Sequence, residues 1–261
     1  MKQKNLLTKE TPIIYTKLIS DTNMLDKTEP PTHLAIIQDG NRRYALQKGH
    51  SAYKGHEEGV ETTEKILQLS KEAGIKNLTV YAFSTENFRR NESELNDLFE
   101  LFKKEFERIP TNERIHENEI KIRVIGDLDL MSEEVREAVR KAEKSTEDYD
   151  NFNFNIALAY GGKREIRDSI KLLSKKIKQG KLKASEIDEK TFLKHLYPHN
   201  PSNEIIPEID LLIRTGGEKR LSNFLLWRSI NATVYFSDVY WPAFGEKEFK
   251  KALARYHKLK E

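Results

Sequence analysis

Short apolar runs recur along this chain, and each stops abruptly in a cluster of charged, amide or glycine residues. Leu34, Ala35, Ile36 and Ile37 end in Gln38, Asp39, Gly40 and Asn41, and Leu78, Val80 and Ala82 lead into Ser84, Glu86, Asn87, Arg89 and Arg90. Ile120–Ile125 closes in Gly126-Asp127, and Phe152, Phe154, Ile156 and Leu158 alternate with asparagines before Tyr160-Gly161-Gly162. Residues 209–213 run straight into Arg214, and Thr233–Phe236 precedes Ser237-Asp238. Helical periodicity fills the intervals: Val60, Ile66, Leu67 and Ala73 up to Gly74; Leu95, Leu98, Phe99, Phe102, Phe106 and Ile109 over 91–109; Val135, Ala138, Val139 and Ala142 behind a Ser132 cap; then 163–178, 187–196 and 247–259. Strands and helices alternating in this way predict an α/β domain with a mostly parallel sheet covered on both faces. Sites in such sheets lie at the carboxyl ends of the strands, where the polar clusters fall.

The alternation starts at His33. Residues 1–32 are mixed and polar, with Pro30-Pro31 at their end, and are expected to be an N-terminal extension in which 13–25 is compatible with a short helix. Residues 33–261 then form one domain, a length that buries a sizeable core. The absence of cysteine excludes disulfides, thiolate metal sites and cysteine nucleophiles. No apolar run is long enough to span a bilayer, and the first residues lack the apolar core of a secretory signal, so a cytoplasmic protein is expected, with membrane contact only peripheral or through a lipidic substrate. A net charge of +3, from 45 basic and 42 acidic residues, gives no general attraction for nucleic acid, and no nucleic-acid partner is expected.

Local charge says more. Arg42, Arg43, Arg89, Arg90, Arg214 and Arg220 all fall at strand ends or just beyond, so a parallel sheet would aim them at one crevice. Forked guanidinium donors suit phosphate oxygens, and Asp39 beside them is a natural Mg²⁺ ligand, since that ion takes one or two carboxylates and completes its shell with water and phosphate. Other readings stand for each residue alone: ion pairs with Glu86, Glu92 or Glu218 for the arginines, a turn role for Asp39, and a helix-start role for His56. Ser84, Glu86 and Asn87 are hydrogen-bonding candidates or plain turn residues, and Phe83 and Phe88 are core or the lining for an apolar chain. The glycine pairs match neither a P-loop nor a dinucleotide fingerprint, and no metalloprotease or serine-hydrolase motif is present.

Several blocks in order, HLAIIQDGNRRYA, Gly55-His56, YAFSTENFRR, IRVIGD, NIALAYGG, LLIRTGGEKRLSNFLLW and VYFSDVYWPAF, resemble the cis-prenyltransferase family from His33 to about Tyr256. The resemblance implies a single α/β domain with a hydrophobic tunnel between sheet and helices, usually a homodimer. It also implies Mg²⁺-dependent condensation of isopentenyl diphosphate with an allylic prenyl diphosphate to form cis double bonds. By position, Asp39 resembles the residue that binds magnesium and assists departure of the allylic diphosphate, with Gly40, Asn41, Arg42, Arg43, Tyr44 and His56 around it. Asn87 resembles the asparagine that orients condensation and proton removal, while Phe83, Ser84, Glu86, Phe88 and Arg90 match the segment over the site. Arg214, Arg220 and Ser222 resemble the set that holds isopentenyl diphosphate.

The Arg42-Arg43-Tyr44 and Gly216-Gly217-Glu218-Lys219 forms are more like archaeal and eukaryotic members, which implies a geranylgeranyl or farnesyl diphosphate primer. Ala52 stands where many members have an arginine, Thr233 where they have a glutamate near the metal region, and Ala159 and Lys163 alter the NYGGR form. Those departures keep two alternatives in view: head-to-middle coupling of two allylic diphosphates, or a non-catalytic partner subunit of a prenyltransferase complex.

Overall fold

Alternate residues of the first strand enter different cores, which explains its unbroken apolar run. In the computed structural model, which describes residues 29–198 and 205–260, β1 (His33–Ile37) sends Leu34 and Ile36 into one buried cluster and Ala35 and Ile37 into another. Five more strands flank it: β2 (Asn77–Tyr81), β3 (Ile120–Ile125), β4 (Phe152–Ala157), β5 (Leu211–Arg214) and β6 (Thr233–Phe236). Their order is β3-β4-β2-β1-β5-β6, with every neighbouring pair parallel. The chain therefore winds one way from β1 and returns to its other side at β5. The crevice at that reversal, above the carboxyl ends of β1 and β5, is the standard ligand position in open parallel sheets.

The helices in chain order are α1 (Asn41–Gln47), α2 (Ala52–Glu72), α3 (Glu92–Arg108), α4 (Glu113–Glu117), α5 (Glu133–Ser145), α6 (Gly162–Lys178), α7 (Glu189–Leu193) and α8 (Glu246–Lys258). Buried side chains of α2, α3, α5 and α8 join the larger cluster with Leu34, Ile36, Leu78, Val80, Phe152 and Phe154. Asn91 caps α3, its side chain accepting Glu94 N–H, and Ser132 caps α5 by accepting Val135 N–H. On the other face, Tyr81, Tyr160, Tyr197, Phe224 and Leu225 form the second cluster. It is tied by Glu165 of α6 and Arg228, paired at 2.6 Å with neither side chain more than 1% exposed. The Arg228 guanidinium also donates to the carbonyls of Ile206 (3.2 Å) and Tyr197 (2.8 Å), and Glu165 accepts Tyr197 N–H (3.1 Å) and the Tyr160 hydroxyl.

Four expectations need correction or limits. The stretch 41–47 is helical, where only a turn was expected, because Gly40 at φ 110° reverses the chain directly into α1. The helix expected over 187–196 contracts to α7, capped by Asp188. The expected cover on both faces of the sheet is seen at Asn155. This residue is fully buried and donates to Thr79 Oγ1 (3.1 Å), since helices and loops cover both faces of this sheet. The short helix compatible with 13–25, and the centre of 198–207, a stretch whose composition predicts a loop, lie outside the described residues.

The Glu165–Arg228 pair should be the most sensitive polar contact in the second core. Arg228→Met strands a buried carboxylate and should cost about 3–5 kcal/mol of unfolding free energy, whereas Glu165→Gln combined with Arg228→Met should recover much of that loss. Urea unfolding of the two variants checks the ordering.

Candidate active site

Asp39 sits two residues beyond β1, at the reversal point. Its backbone is clamped: the Asp39 carbonyl accepts Trp241 N–H (3.0 Å) and Thr215 Oγ1 (2.7 Å), and Asp39 N–H donates to the Ile37 carbonyl (3.0 Å). Gly40 is needed beside it, because a Cβ there would lie 2.6 Å from the Tyr240 ring. The carboxylate is thereby held between two guanidiniums. Arg43 Nη2 donates to Oδ1 (3.1 Å) and Arg214 Nη2 to Oδ2 (2.8 Å).

Arg214 is the last residue of β5, opposite Ile37, which explains how an arginine comes to be 3% exposed there. Its Nη1 donates to Ser222 Oγ (2.6 Å) and to the Arg220 carbonyl, while its buried Nε has no hydrogen-bond partner among the described residues. Arg220 pairs with Glu218, which also approaches Arg43 at 4.0 Å, and Arg43 lies over the Tyr240 ring at 5.1 Å. One cluster thus unites Asp39, Arg43, Arg214, Arg220 and Ser222.

A second group adjoins α1. Glu94, one helical turn beyond Arg90 on α3, accepts Arg90 (2.8 Å) and attracts Arg42 (3.6 Å). His56 of α2 stands near both arginines. Burial, then the charges of Arg90 and Arg42, lower its pKa to about 4, and its buried Nε2 has no hydrogen-bond partner among the described residues. A neutral imidazole with an unused nitrogen between two cations is suited to an anion that pairs with those cations. Asn41 donates to the Gln38 carbonyl (3.2 Å), and its buried Oδ1 is likewise without a partner. Tyr44 is drawn elsewhere, its hydroxyl taken by Lys48.

The third group is the turn after β2. Asn87 Oδ1 accepts Ser84 N–H (2.9 Å), which folds Thr85–Arg89 into a 3-10 turn. Asn223, which the sequence reading did not single out, donates from Nδ2 to Glu86 Oε1 (2.9 Å). Burial raises the Glu86 carboxyl, but hydrogen bonds from Asn223, its own N–H, Ser84 and Thr85 outweigh this and hold it below the usual range. Phe83 is buried and meets Phe88, Phe99 and Phe102 edge to face at 4.9, 5.8 and 5.9 Å. The aromatic stripe of α3 therefore lies directly under the turn. Arg89 is exposed on it.

Known proteins are similar to this chain in sequence and fold. A prenyltransferase family model described as "Putative undecaprenyl diphosphate synthase" matches residues 37–261. The chain belongs to the undecaprenyl diphosphate synthase family of prenyltransferases. It is 43% identical over 245 residues to a Methanocaldococcus jannaschii protein, covering 94% of this chain and 86% of that one, and 42% identical over 223 residues to one from Archaeoglobus fulgidus, covering 85% and 87%. Both relatives are described as tritrans,polycis-undecaprenyl-diphosphate synthases specific for geranylgeranyl diphosphate. Among solved structures, lavandulyl diphosphate synthase from Lavandula x intermedia, in complex with dimethylallyl diphosphate, is similar with a TM-score of 0.78 and 33% identity, covering 87% of this chain and 95% of that one. A probable undecaprenyl diphosphate synthase from Campylobacter jejuni gives 0.70 and 30%, covering 88% and 96%.

As a prenyltransferase-family chain, this one is an enzyme of that type, and its departures can be placed. Ala52 opens α2, one turn before His56, on the rim of the second group. Thr233 opens β6 opposite Leu211, three residues and roughly 10 Å of strand from the level of Arg214. Within one chain, Thr233 and Asp39 are thus at different ends of the sheet. Among the described residues no group of three or more acidic or histidine side chains converges. That donor set does not suit an all-protein metal cage. A half-buried carboxylate ringed by anion-binding groups does suit Mg²⁺ shared with a diphosphate.

The His56 environment has a pH signature. Its folded pKa lies below the ordinary 6.5, so the unfolded chain takes up the proton first and stability is lost as pH falls from about 6.5 towards about 4. His56→Gln should make that fall shallower. His33, which burial also lowers to about 4, contributes a loss of the same sign. Denaturant unfolding at stepped pH between about 7 and about 4 checks the difference.

Proposed function

We propose that this chain condenses isopentenyl diphosphate with an allylic prenyl diphosphate, geranylgeranyl diphosphate first among candidates, to give a cis-prenyl diphosphate. The observation that carries the reading is the Asp39 carboxylate held between Arg43 and Arg214, with an anion-binding group on each side. Arg42, Arg43, Arg90 and His56 Nε2, which has no hydrogen-bond partner among the described residues, take the allylic diphosphate. Arg214, Arg220 and Ser222 take the second diphosphate. Asn87 spends its amide oxygen on Ser84, so its NH₂ group is available to orient a diphosphate oxygen. Gly55 and Gly59 of α2 let Asn41 of α1 approach closely, Gly40 makes room for Tyr240, and the Tyr44 hydroxyl is held by Lys48.

In the reaction, the allylic C–O bond breaks, its carbon bonds to the terminal carbon of isopentenyl diphosphate, and a proton is lost to form the cis double bond. Asp39 would hold Mg²⁺ here, which supplies charge neutralisation for the departing diphosphate. Both Asp39 oxygens already bind guanidiniums. An arriving diphosphate can take over those donors and release the carboxylate, so anion and cation binding support each other. The hydrocarbon is assigned to the space between the sheet and the aromatics Phe99 and Phe102 of α3, with Phe83 and Phe88 from the segment after β2, each buried methylene being worth about 0.8 kcal/mol.

The regular condensation is favoured over head-to-middle coupling because the Arg214–Ser222–Arg220 set is complete, and over a non-catalytic subunit role because Asp39 stands with it. Residues 33–261 are taken as the catalytic domain and 1–32 as an extension. A homodimer through the β6 edge is supported by its half-exposed strand between Ile230, 77% exposed, and Phe236. No helix among the described residues is long and apolar enough to cross a membrane, which agrees with peripheral contact through a lipid product.

Asp39→Asn should leave the circular dichroism spectrum unchanged and lower turnover by about 10²–10³-fold or more in a radiolabelled isopentenyl diphosphate assay with geranylgeranyl diphosphate. Unchanged product formation would refute the assignment. Arg220→Ala should raise KM for isopentenyl diphosphate much more than KM for the allylic substrate, measured by varying each in turn.

A further inference from the structure

Asn223 has no place in the scheme above, yet every polar atom of its side chain is used. Nδ2 donates to Glu86 Oε1 (2.9 Å), Oδ1 accepts Lys163 N–H (2.8 Å), and the Asn223 carbonyl accepts Gly162 N–H (2.7 Å). Three segments distant in sequence meet at this residue: the turn after β2, the loop opening α6, and the loop after β5. The backbone is shaped for the junction, with Ser222 and Asn223 in succession at φ 48° and 63°, a conformation that non-glycine residues rarely adopt. Gly161 admits the contact, because a Cβ there would lie 2.7 Å from Thr85 Oγ1 and 2.9 Å from Asn223 Nδ2. A parallel tie runs beneath, where the Tyr81 hydroxyl approaches the carbonyls of Tyr160 (3.1 Å) and Ser222 (3.4 Å).

The junction lies between the two sets of anion-binding residues. Ser222, next to Asn223, accepts Arg214, and Glu86 shares its short turn with Ser84 and Asn87, four residues before Arg90. We infer that Asn223 is a positioning residue that couples the two diphosphate subsites through its hydrogen bond to Glu86, so that ordering one segment on its ligand orders the other. This rests on the assignment of two diphosphate sites under the proposed function. It adds a reciprocal energetic link between them, carried by a residue that touches neither ligand. A surface hydrogen bond with one charged partner suits such a link, since it can break and reform while the cores below stay packed.

Calorimetric titration of the full chain with Mg²⁺ tests it. Isopentenyl diphosphate is titrated into free enzyme and into enzyme saturated with geranylgeranyl S-thiolodiphosphate, an unreactive allylic analogue, and the titration is repeated in the reverse order. The native chain should show each ligand tightening the other by the same factor, about 10-fold. Asn223→Ala and Glu86→Ala should each bring the factor close to one, with no further loss in the double variant. Asn223→Asp sets two carboxylates together and should abolish coupling. Adding Glu86→Gln to it inverts donor and acceptor, preserves the bond to Lys163 N–H, and should restore coupling, which a merely structural role would not predict. A native chain that binds both ligands independently, an Asn223→Ala chain with the native factor, additive losses, or an Asn223→Asp/Glu86→Gln chain no better than Asn223→Asp would each overturn the inference. A native chain that binds neither diphosphate overturns the proposed function itself, and the coupling with it.

Discussion

A carboxylate shared between two guanidiniums is the contact on which the arrangement of this site depends. Asp39 reaches Arg43 from its own helical turn and Arg214 from a strand 175 residues later in the chain, at 3.1 and 2.8 Å. Without the carboxylate, two cations would face each other in a cleft where Arg214 is almost fully buried. With it, the cleft keeps spare donors and a surplus of positive charge that a diphosphate can satisfy. The sheet makes the meeting inevitable. Parallel pairing of β1 with β5 sets Arg214 opposite Ile37, two residues before Asp39, and the chain reversal between these strands leaves the crevice above them open.

Packing around that contact gives it rigidity. The Asp39 carbonyl is bonded by Thr215 and Trp241, and Trp241 Nε1 donates to the Gly59 carbonyl of α2 (2.9 Å), so strand, loop and helix are fixed in one frame. Tyr240 closes against Gly40 and carries Arg43 over its ring. On the opposite face, the buried Glu165–Arg228 pair holds the start of α6 and the end of the loop bearing Arg220, Ser222 and Asn223. A buried ion pair of this kind adds little net stability relative to an apolar substitute, but it fixes geometry strongly, because either partner alone is costly. Placing it behind the loop proposed to hold a diphosphate is consistent with that property.

Much of this was readable in the chain. The apolar runs marked β1 to β6 to within a residue or two, the helices behind Ser132 and Asn91 began where expected, and Asp39, Arg43, Arg214 and Arg220 converge as their strand-end positions imply, joined by Ser222, which only the family resemblance pointed to. Other features had weak or no linear signal. Glu94 could have been found as the residue one turn after Arg90. Asn223 could not, since its partners Glu86, Gly162 and Lys163 come from segments that only the fold brings together. The bond from Asn155 to Thr79 had no linear signal either, because alternation reveals which residues share a face, not which partners they meet there.

The sequence by itself determined the elements, the class of sheet and the chemical types gathered at the strand ends, because periodicity and abrupt polar stops are local properties of the chain. Only the tertiary structure decided which charges pair. Arg42 and Arg90 meet on Glu94 instead of on the acids nearest them in sequence, Asp39 divides its two oxygens between a near and a distant arginine, and His56 keeps a buried nitrogen without a partner among the described residues, close to two cations. Strand order and helix packing set those distances. Charge interactions depend on separation and burial in space, quantities that a linear chain does not contain.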